Sequence, residues 1–160
     1  MKDGLVHQVA DPISLYDQPV NKFVASFIGS PPMNFLTGYI VKLDGRYYFQ
    51  NGPFRVRVAD KAIDRLKDYE SKEIIFGIRS EDIYDKLFAT EASPENTVRA
   101  TCEVVETLGA EAYLYLRCGQ NSFIARVSGH VRPGVNQDLD LVIDMNKVYG
   151  ELYSKAVAGI

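Results

Sequence analysis

Apolar and polar positions alternate with a period of two along most of this chain, and only near its start is the period helical. Asn21 is a good N-cap, and Phe23, Val24, Phe27 and Ile28 after it form the apolar stripe of a short helix. Gly29 falls where a helix C-cap glycine belongs, and Pro31 with Pro32 forbids continuation. A second short helix lies upstream. Asp11 caps it, Pro12 takes its first position, Leu15 and Tyr16 give it an apolar side, and Gln18-Pro19 ends it. Before that, Asp3-Gly4 is a strong two-residue hairpin signal, with Leu5 to Val9 as the strand after it. Only Met1-Lys2 precede that turn, so the pattern predicts a missing first strand and a chain cut from something longer.

After Met33 the pattern becomes strand-like. Phe35–Val41 predicts a strand, Leu43–Arg46 a turn, and Tyr47–Gln50 its hairpin partner. Asn51-Gly52-Pro53 turns again before Phe54–Val58. Asp60 predicts the cap of one helix, with Ile63, Leu66 and Tyr69 on one side. Glu73–Arg79 is a strand, and residues 85–96 are a polar surface loop broken by Pro94. Thr97–Leu108 and Ala112–Cys118 form the clearest hairpin. With Gly109-Ala110-Glu111 as the loop, Leu108 faces Ala112, Val105 faces Tyr115, Thr107 faces Tyr113, Glu103 faces Arg117 and Cys102 faces Cys118. Opposite charges and aromatic–β-branched pairs are the favoured cross-strand matches. Asn121–Val127 and Leu139–Ile143 follow, with a last short strand near Val148–Tyr153. So many short strands and turns indicate a mainly β protein, a small barrel or a sandwich.

Composition changes this picture little. The 160 residues suffice for one sizeable core or two small ones. A net charge of −3 speaks against nucleic acid, whose binders carry a basic excess. No apolar run approaches the length of a membrane span. Met1-Lys2-Asp3-Gly4 does not open a signal peptide. Two cysteines give no disulfide framework and point to free thiols in a reducing cytosol.

Candidate chemistry is sparse. No G-x-x-x-x-G-K-[ST] run is present to cradle phosphates. His7 and His130 lie far apart and at no metal-ligand spacing with cysteine. Glu81, Asp82 and Asp85 form an acidic cluster, but a catalytic carboxylate pair needs one member raised by burial, and a strand exit favours a solvated edge. Ser122 and Ser128 have no obvious base. Tyr113 and Tyr115, with Tyr47, Tyr48 and Tyr84 as neighbours, would suit sugar stacking, although such residues more often form barrel wall or protein contact. Around the two prolines, Phe27, Ile28, Met33 and Phe35 are apolar anchors, which favours a packed hinge over a loose linker.

Several of these stretches carry a resemblance. NKFVASFIGSPPMNFL resembles the junction between the ATPase domain and the C-terminal regulatory domain in ATP-binding subunits of carbohydrate-type bacterial ABC importers. DGLVHQVADPISLYDQPVNKFVASFIG is similar to the segment that closes that ATPase domain. FGIRSEDI and CEVVETLGAEAYLYL resemble two later signatures, with Cys102 where the family has valine. The resemblance covers almost the whole chain. It implies that residues 1–30 are the tail of an ATPase domain and that residues 31–160 form a regulatory domain, an oligonucleotide/oligosaccharide-binding-type (OB) β-barrel. It further implies a homodimer on the cytoplasmic face of the membrane, permease subunits contacted through the ATPase domain, and a regulatory protein as a further partner. ATP and Mg would belong to the absent ATPase domain, so this stretch itself would hold no cofactor and catalyse nothing.

The interface and hinge candidates are Phe27, Ile28, Gly29, Met33, Asn34 and Phe35 at the junction, Gly77, Arg79, Glu81 and Asp82 at the FGIRSEDI signature, and Tyr113 and Tyr115 on the hairpin. Arg79 has two readings: pairing with Glu81 or Asp82 at a strand end, or contact with the ATPase domain or a partner, which the bidentate guanidinium suits. The family more usually has proline where Ser80 stands, which predicts a looser turn after Arg79. Two other functions stand beside the regulatory one. A related barrel in other importers binds oxyanions such as molybdate, and the tyrosines alone suggest an independent sugar-binding module.

Overall fold

A computed structural model describes residues 5–17, 19–147 and 153–154. The Asp3-Gly4 turn lies outside the described residues, as does most of the predicted strand near Val148. Two short helices come first, α1 (Pro12–Asp17) and α2 (Lys22–Phe27). Both begin as the sequence predicts: the Asp11 carboxylate accepts from the Ile13 and Ser14 amides, and Asn21 Oδ1 accepts from the Val24 amide at 3.0 Å.

Residues 6–10 are not a strand. Their side chains instead secure the helix entry. Gln8 Oε1 accepts from the Val20 amide, and His7 meets Asn21 Nδ2 at 3.1 Å and the Phe23 ring at 5.1 Å.

The rest is two antiparallel sheets. The first contains β1 (Asn34–Leu43), β2 (Arg46–Asn51), β3 (Phe54–Arg57), β4 (Glu73–Ile78) and β10 (Tyr153–Ser154), in the order β10-β4-β1-β2-β3. The second contains β5 (Ile83–Asp85), β6 (Thr97–Leu108), β7 (Glu111–Cys118), β8 (Asn121–Ser128) and β9 (Asp138–Ile143), in the order β5-β9-β6-β7-β8. Between β3 and β4 lies α3 (Asp60–Leu66). Its N-cap is Ala59, and Asp60 is its first residue, where a carboxylate suits the helix dipole. Leu66 is its buried residue, with Ile63 and Tyr69 half-buried beside it.

Alternation follows from one buried face per sheet. Leu36 and Ile40 of β1, Phe49 of β2, Phe54 and Val56 of β3 and Phe76 of β4 face Leu114, Leu116, Phe123 and Leu141 of the second sheet in a single cluster. Phe49 stacks on Phe76 at 4.7 Å, and Phe54 meets Phe123 edge-on at 5.7 Å across the sheets. Gly38 makes this packing possible, since a Cβ there would stand 2.6 Å from both the Gln50 carbonyl and the Phe49 ring.

The β6–β7 register is one residue away from the expected one. Leu108 pairs with Glu111 across a two-residue turn in which Gly109 has φ +67°, so Thr107 faces Ala112 and Val105 faces Leu114. A bulge between Cys102 and Val104 then shifts the pairing again. Tyr115 therefore faces Val104, and Cys102 faces Leu116 rather than Cys118. Both cysteines are buried free thiols, their pKa raised by burial. The expected Glu103–Arg117 ion pair forms all the same, at 2.9 Å, because the bulge leaves Glu103 beside its partner.

Candidate functional site at the junction of helices and sheets

Residues 74–78 of β4 are all buried, and the strand delivers the next side chain, Arg79, into the interior at 2% exposure. A buried charge must be paired. Nη1 of Arg79 donates to the Ile28 carbonyl at 3.1 Å, Nη2 donates to the Tyr16 carbonyl, and the guanidinium sits 3.5 Å from the centroid of the Tyr16 ring. These carbonyls lie at the C-terminal ends of α2 and α1, where carbonyls lack intrahelical donors. One side chain thus fastens both helices to the first sheet.

The carboxylates expected to pair with Arg79 have other partners. Glu81 accepts from the Tyr16 hydroxyl at 2.8 Å and from Arg126 of β8 at 2.6 Å, which ties α1 to the second sheet. Burial and that bond to Glu81 push the Tyr16 phenol up to about 12. Asp82 is 3% exposed and pairs with Lys147 at 3.6 Å. Burial pushes its carboxyl up to about 6, against the pull of Lys147. The Ser80–Asp82 turn is a single 3-10 turn closed by the Asp82 amide on the Arg79 carbonyl, with Ser80 buried.

The junction candidates mostly converge here. Gly29 has φ +119°, and a Cβ on it would stand 3.1 Å from Arg79 Nη1. Met33 is buried against Gly77, where a Cβ would reach its Sδ at 2.9 Å. Asn34 bridges the sheets, donating to the Ile124 carbonyl at 2.8 Å and accepting from the Ile124 amide at 2.7 Å. Phe35 is half-buried beneath Lys22 Nζ, and Ile28 is half-buried. Phe27 is not an anchor: it is 75% exposed and among the described residues its ring stacks on Phe23, because the buried side of α2 is Val24 and Ala25.

The tyrosines do not form one face. Tyr113 donates to the Ser30 carbonyl at 3.3 Å, Tyr115 to Glu106 at 3.0 Å, and Tyr48 to Glu95 at 3.0 Å. Tyr47 packs under Lys42, and Tyr84 lies beside Lys147. Sequence reasoning missed Arg126 and the role of Tyr16. Nothing in a period-two pattern separates a bridging arginine from a solvated one. It also missed Val104 and Leu108, each about half exposed (51% and 52%), which lie on the outer side of β6 opposite Tyr115 and Glu111 respectively. Among the described residues, no group of three or more His, Cys, Asp or Glu could hold a metal ion, and no helix is long and apolar enough to cross a membrane.

Two family models match in succession, the MalK OB fold domain over residues 29–83 and the TOBE domain over residues 92–149. Residues 29–83 belong to the first of these domain families and residues 92–149 to the second. Relatives of the chain include ATP-binding proteins of sugar import. It is 46% identical over 154 residues to the trehalose/maltose import ATP-binding protein MalK of Thermococcus litoralis, covering 93% of this chain and 40% of that protein. Identity is 37% to the oligosaccharides import ATP-binding protein MsmX of Bacillus subtilis, covering 92% and 40% of the two chains. It is 44% to the multiple sugar-binding transport ATP-binding protein MsmK of Streptococcus mutans, covering 78% and 33%. The chain therefore spans about two-fifths of the length of the first two of these relatives. A solved structure of the cytoplasmic molybdate-binding protein ModG superposes with a TM-score of 0.51 at 16% identity, over 70% of this chain and 90% of that one. At that identity the likeness concerns the fold alone.

Proposed function

We propose that this chain is the regulatory and dimerisation region of the ATPase subunit of an ABC sugar importer, and that it is itself non-catalytic. On this reading ATP and Mg bind elsewhere in the subunit, at the cytoplasmic face of the membrane, where that part also meets the permease. Residues 1–30 are the end of the ATPase domain, and the barrel region begins at residue 31. The observation that carries the reading is the outward face of β6–β8. The bulge after Cys102 turns Val104 to the outside, beside Tyr115 and in line with Leu108. Glu106 stands between Val104 and Leu108 and accepts from Tyr115, and Arg117 pairs with Glu103 beside them, so both signs of charge are present and the face can pair with a second copy of itself. A contact that persists through the transport cycle keeps the two ATPase halves at high effective concentration and turns closure into a rotation. The Arg79 clamp complements this, since it couples the helical segment rigidly to the barrel. A regulatory protein would dock on the surface left over.

Sedimentation equilibrium of the 160-residue chain tests this. A concentration-dependent dimer is expected, weakened by Val104→Lys and by Tyr115→Lys and indifferent to sulfate and molybdate. A monomer at every concentration would remove the dimerisation role, and a dimer that forms only with an oxyanion would make the region a ligand sensor.

A further inference from the structure

The outer face of the first sheet carries a second feature, on strands that the dimer reading does not use. The registers Tyr39↔Glu73 and Tyr39↔Gln50 place a carboxylate, a phenol and a carboxamide in one row across β4, β1 and β2. Paired residues of an antiparallel sheet point to the same side, with Cβ atoms about 5 Å apart, so the three side chains stand abreast. Tyr39 is 48% exposed although it sits mid-strand. Around the row lies an open depression of about 520 Å³ whose rim adds Thr37, Asn51 and Ser71. That size lies within the usual range for small-molecule sites. Asn51 is already oriented, its Nδ2 donating to the Thr37 carbonyl at 2.5 Å. Ser71 has φ +61°, a conformation uncommon for a non-glycine residue, and it presents an exposed hydroxyl at the rim.

We infer that this row is a saccharide-binding site for a neutral oligosaccharide of two or three hexose units. A pyranose has an apolar C–H face and a rim of vicinal hydroxyls. Tyr39 offers a flat aromatic surface to the first, while Gln50, Asn51 and the outer oxygen of Glu73, whose Oε1 is buried, offer planar acceptors and donors to the second. Adjacent strands lie about 4.8 Å apart, close to the length of one sugar unit, so a short glycan laid across the row meets a new strand with each residue. The Glu73 carboxylate selects against sugar phosphates. The site is independent of the dimer reading, because its strands belong to the other sheet.

The test is isothermal titration of the 160-residue chain with maltose, trehalose, maltotriose and glucose 6-phosphate, repeated on Tyr39→Ala, Glu73→Gln and Tyr115→Ala. Saturable binding of at least one neutral sugar is expected. Loss of the Tyr39 stacking surface should weaken it about tenfold, Glu73→Gln should also weaken it, and Tyr115→Ala should leave it unchanged. Circular dichroism confirms that the variants fold, and the half-exposed Tyr39 is not part of the core. Absence of binding at millimolar sugar, binding untouched by Tyr39→Ala and Glu73→Gln, or preference for the phosphorylated sugar would each overturn the assignment.

Discussion

Removing the guanidinium of Arg79 should release the helices while sparing the sheets. In Arg79→Ala the carbonyls of Ile28 and Tyr16 lose their donors, and the Tyr16 ring loses the cation 3.5 Å from its centroid. Hydrogen bonds that involve a charged group contribute about 1.5–3 kcal/mol each, and a desolvated cation–π contact about 2 kcal/mol. These terms are not additive, and water can enter the vacated space. A net loss of about 3 kcal/mol is the working value, or about a hundredfold in the opening equilibrium of the segment. Hydrogen exchange read by mass spectrometry separates local from global effects. Amides of Leu15, Ala25 and Ile28, all bonded to helical carbonyls, should lose about two orders of magnitude of protection. Peptides holding Phe49 and Leu114 should exchange as in the parent chain. Arg79→Lys should fall between, because an ammonium cannot fork to two carbonyls on different helices. If helix and sheet peptides lost protection equally, Arg79 would be a core residue of one cooperative unit rather than a clamp. If neither changed, the clamp would carry no energy.

Three other outcomes follow from the same geometry. Asp82, beside Lys147, Glu81 and Asp144, has a folded pKa of about 6 against an ordinary 3.8, so the folded state binds the extra proton and stability falls as pH rises through that window. Asp82→Asn should flatten urea-denaturation stability between about pH 4 and 6 and gain up to about 3 kcal/mol on the parent at pH 7, less what the Lys147 pair contributes. Gly38→Ala should destabilise by about 3 kcal/mol or more, because its Cβ meets backbone and a fixed ring, whereas Gly77→Ala meets a flexible thioether and should cost about 1 kcal/mol in thermal melts. Asn34→Ala strands the Ile124 amide and carbonyl between the sheets and should cost about 2 kcal/mol by urea denaturation, while Asn34→Asp retains the amide bond and should cost less.

Much of the architecture was legible because each sheet buries one face, so every second residue of β1 to β3 announced its side. The helix entries were legible for a different reason: Asp11 and Asn21 act on amides two or three residues away, within reach of local reasoning. The β6–β7 register was harder. Alternation on Ala112, Leu114 and Leu116 would have selected the two-residue turn, but Val104-Val105 offers two apolar neighbours, and only the bulge decides which faces in. The junction was legible as a packed stretch yet not as a clamp. Arg79 lies 63 positions from Tyr16 and 51 from Ile28, and neither backbone carbonyl leaves a mark in the sequence. Phe27 misled for the complementary reason: a helical stripe shows which residues can be buried, not whether anything arrives to cover them.

The edge-on contact of Phe54 with Phe123 has a consequence for how such a chain arises and breaks. Residues 29–83 and 92–149 match two separate family models, yet their aromatic side chains interlock in one interior. Matched separately, the two stretches nevertheless share one core. A protease nick in the 86–96 loop would leave two pieces that remain together, and a chain ended there by a premature stop would expose Phe49, Phe54 and Phe76 to water as a sticky half-protein marked for degradation.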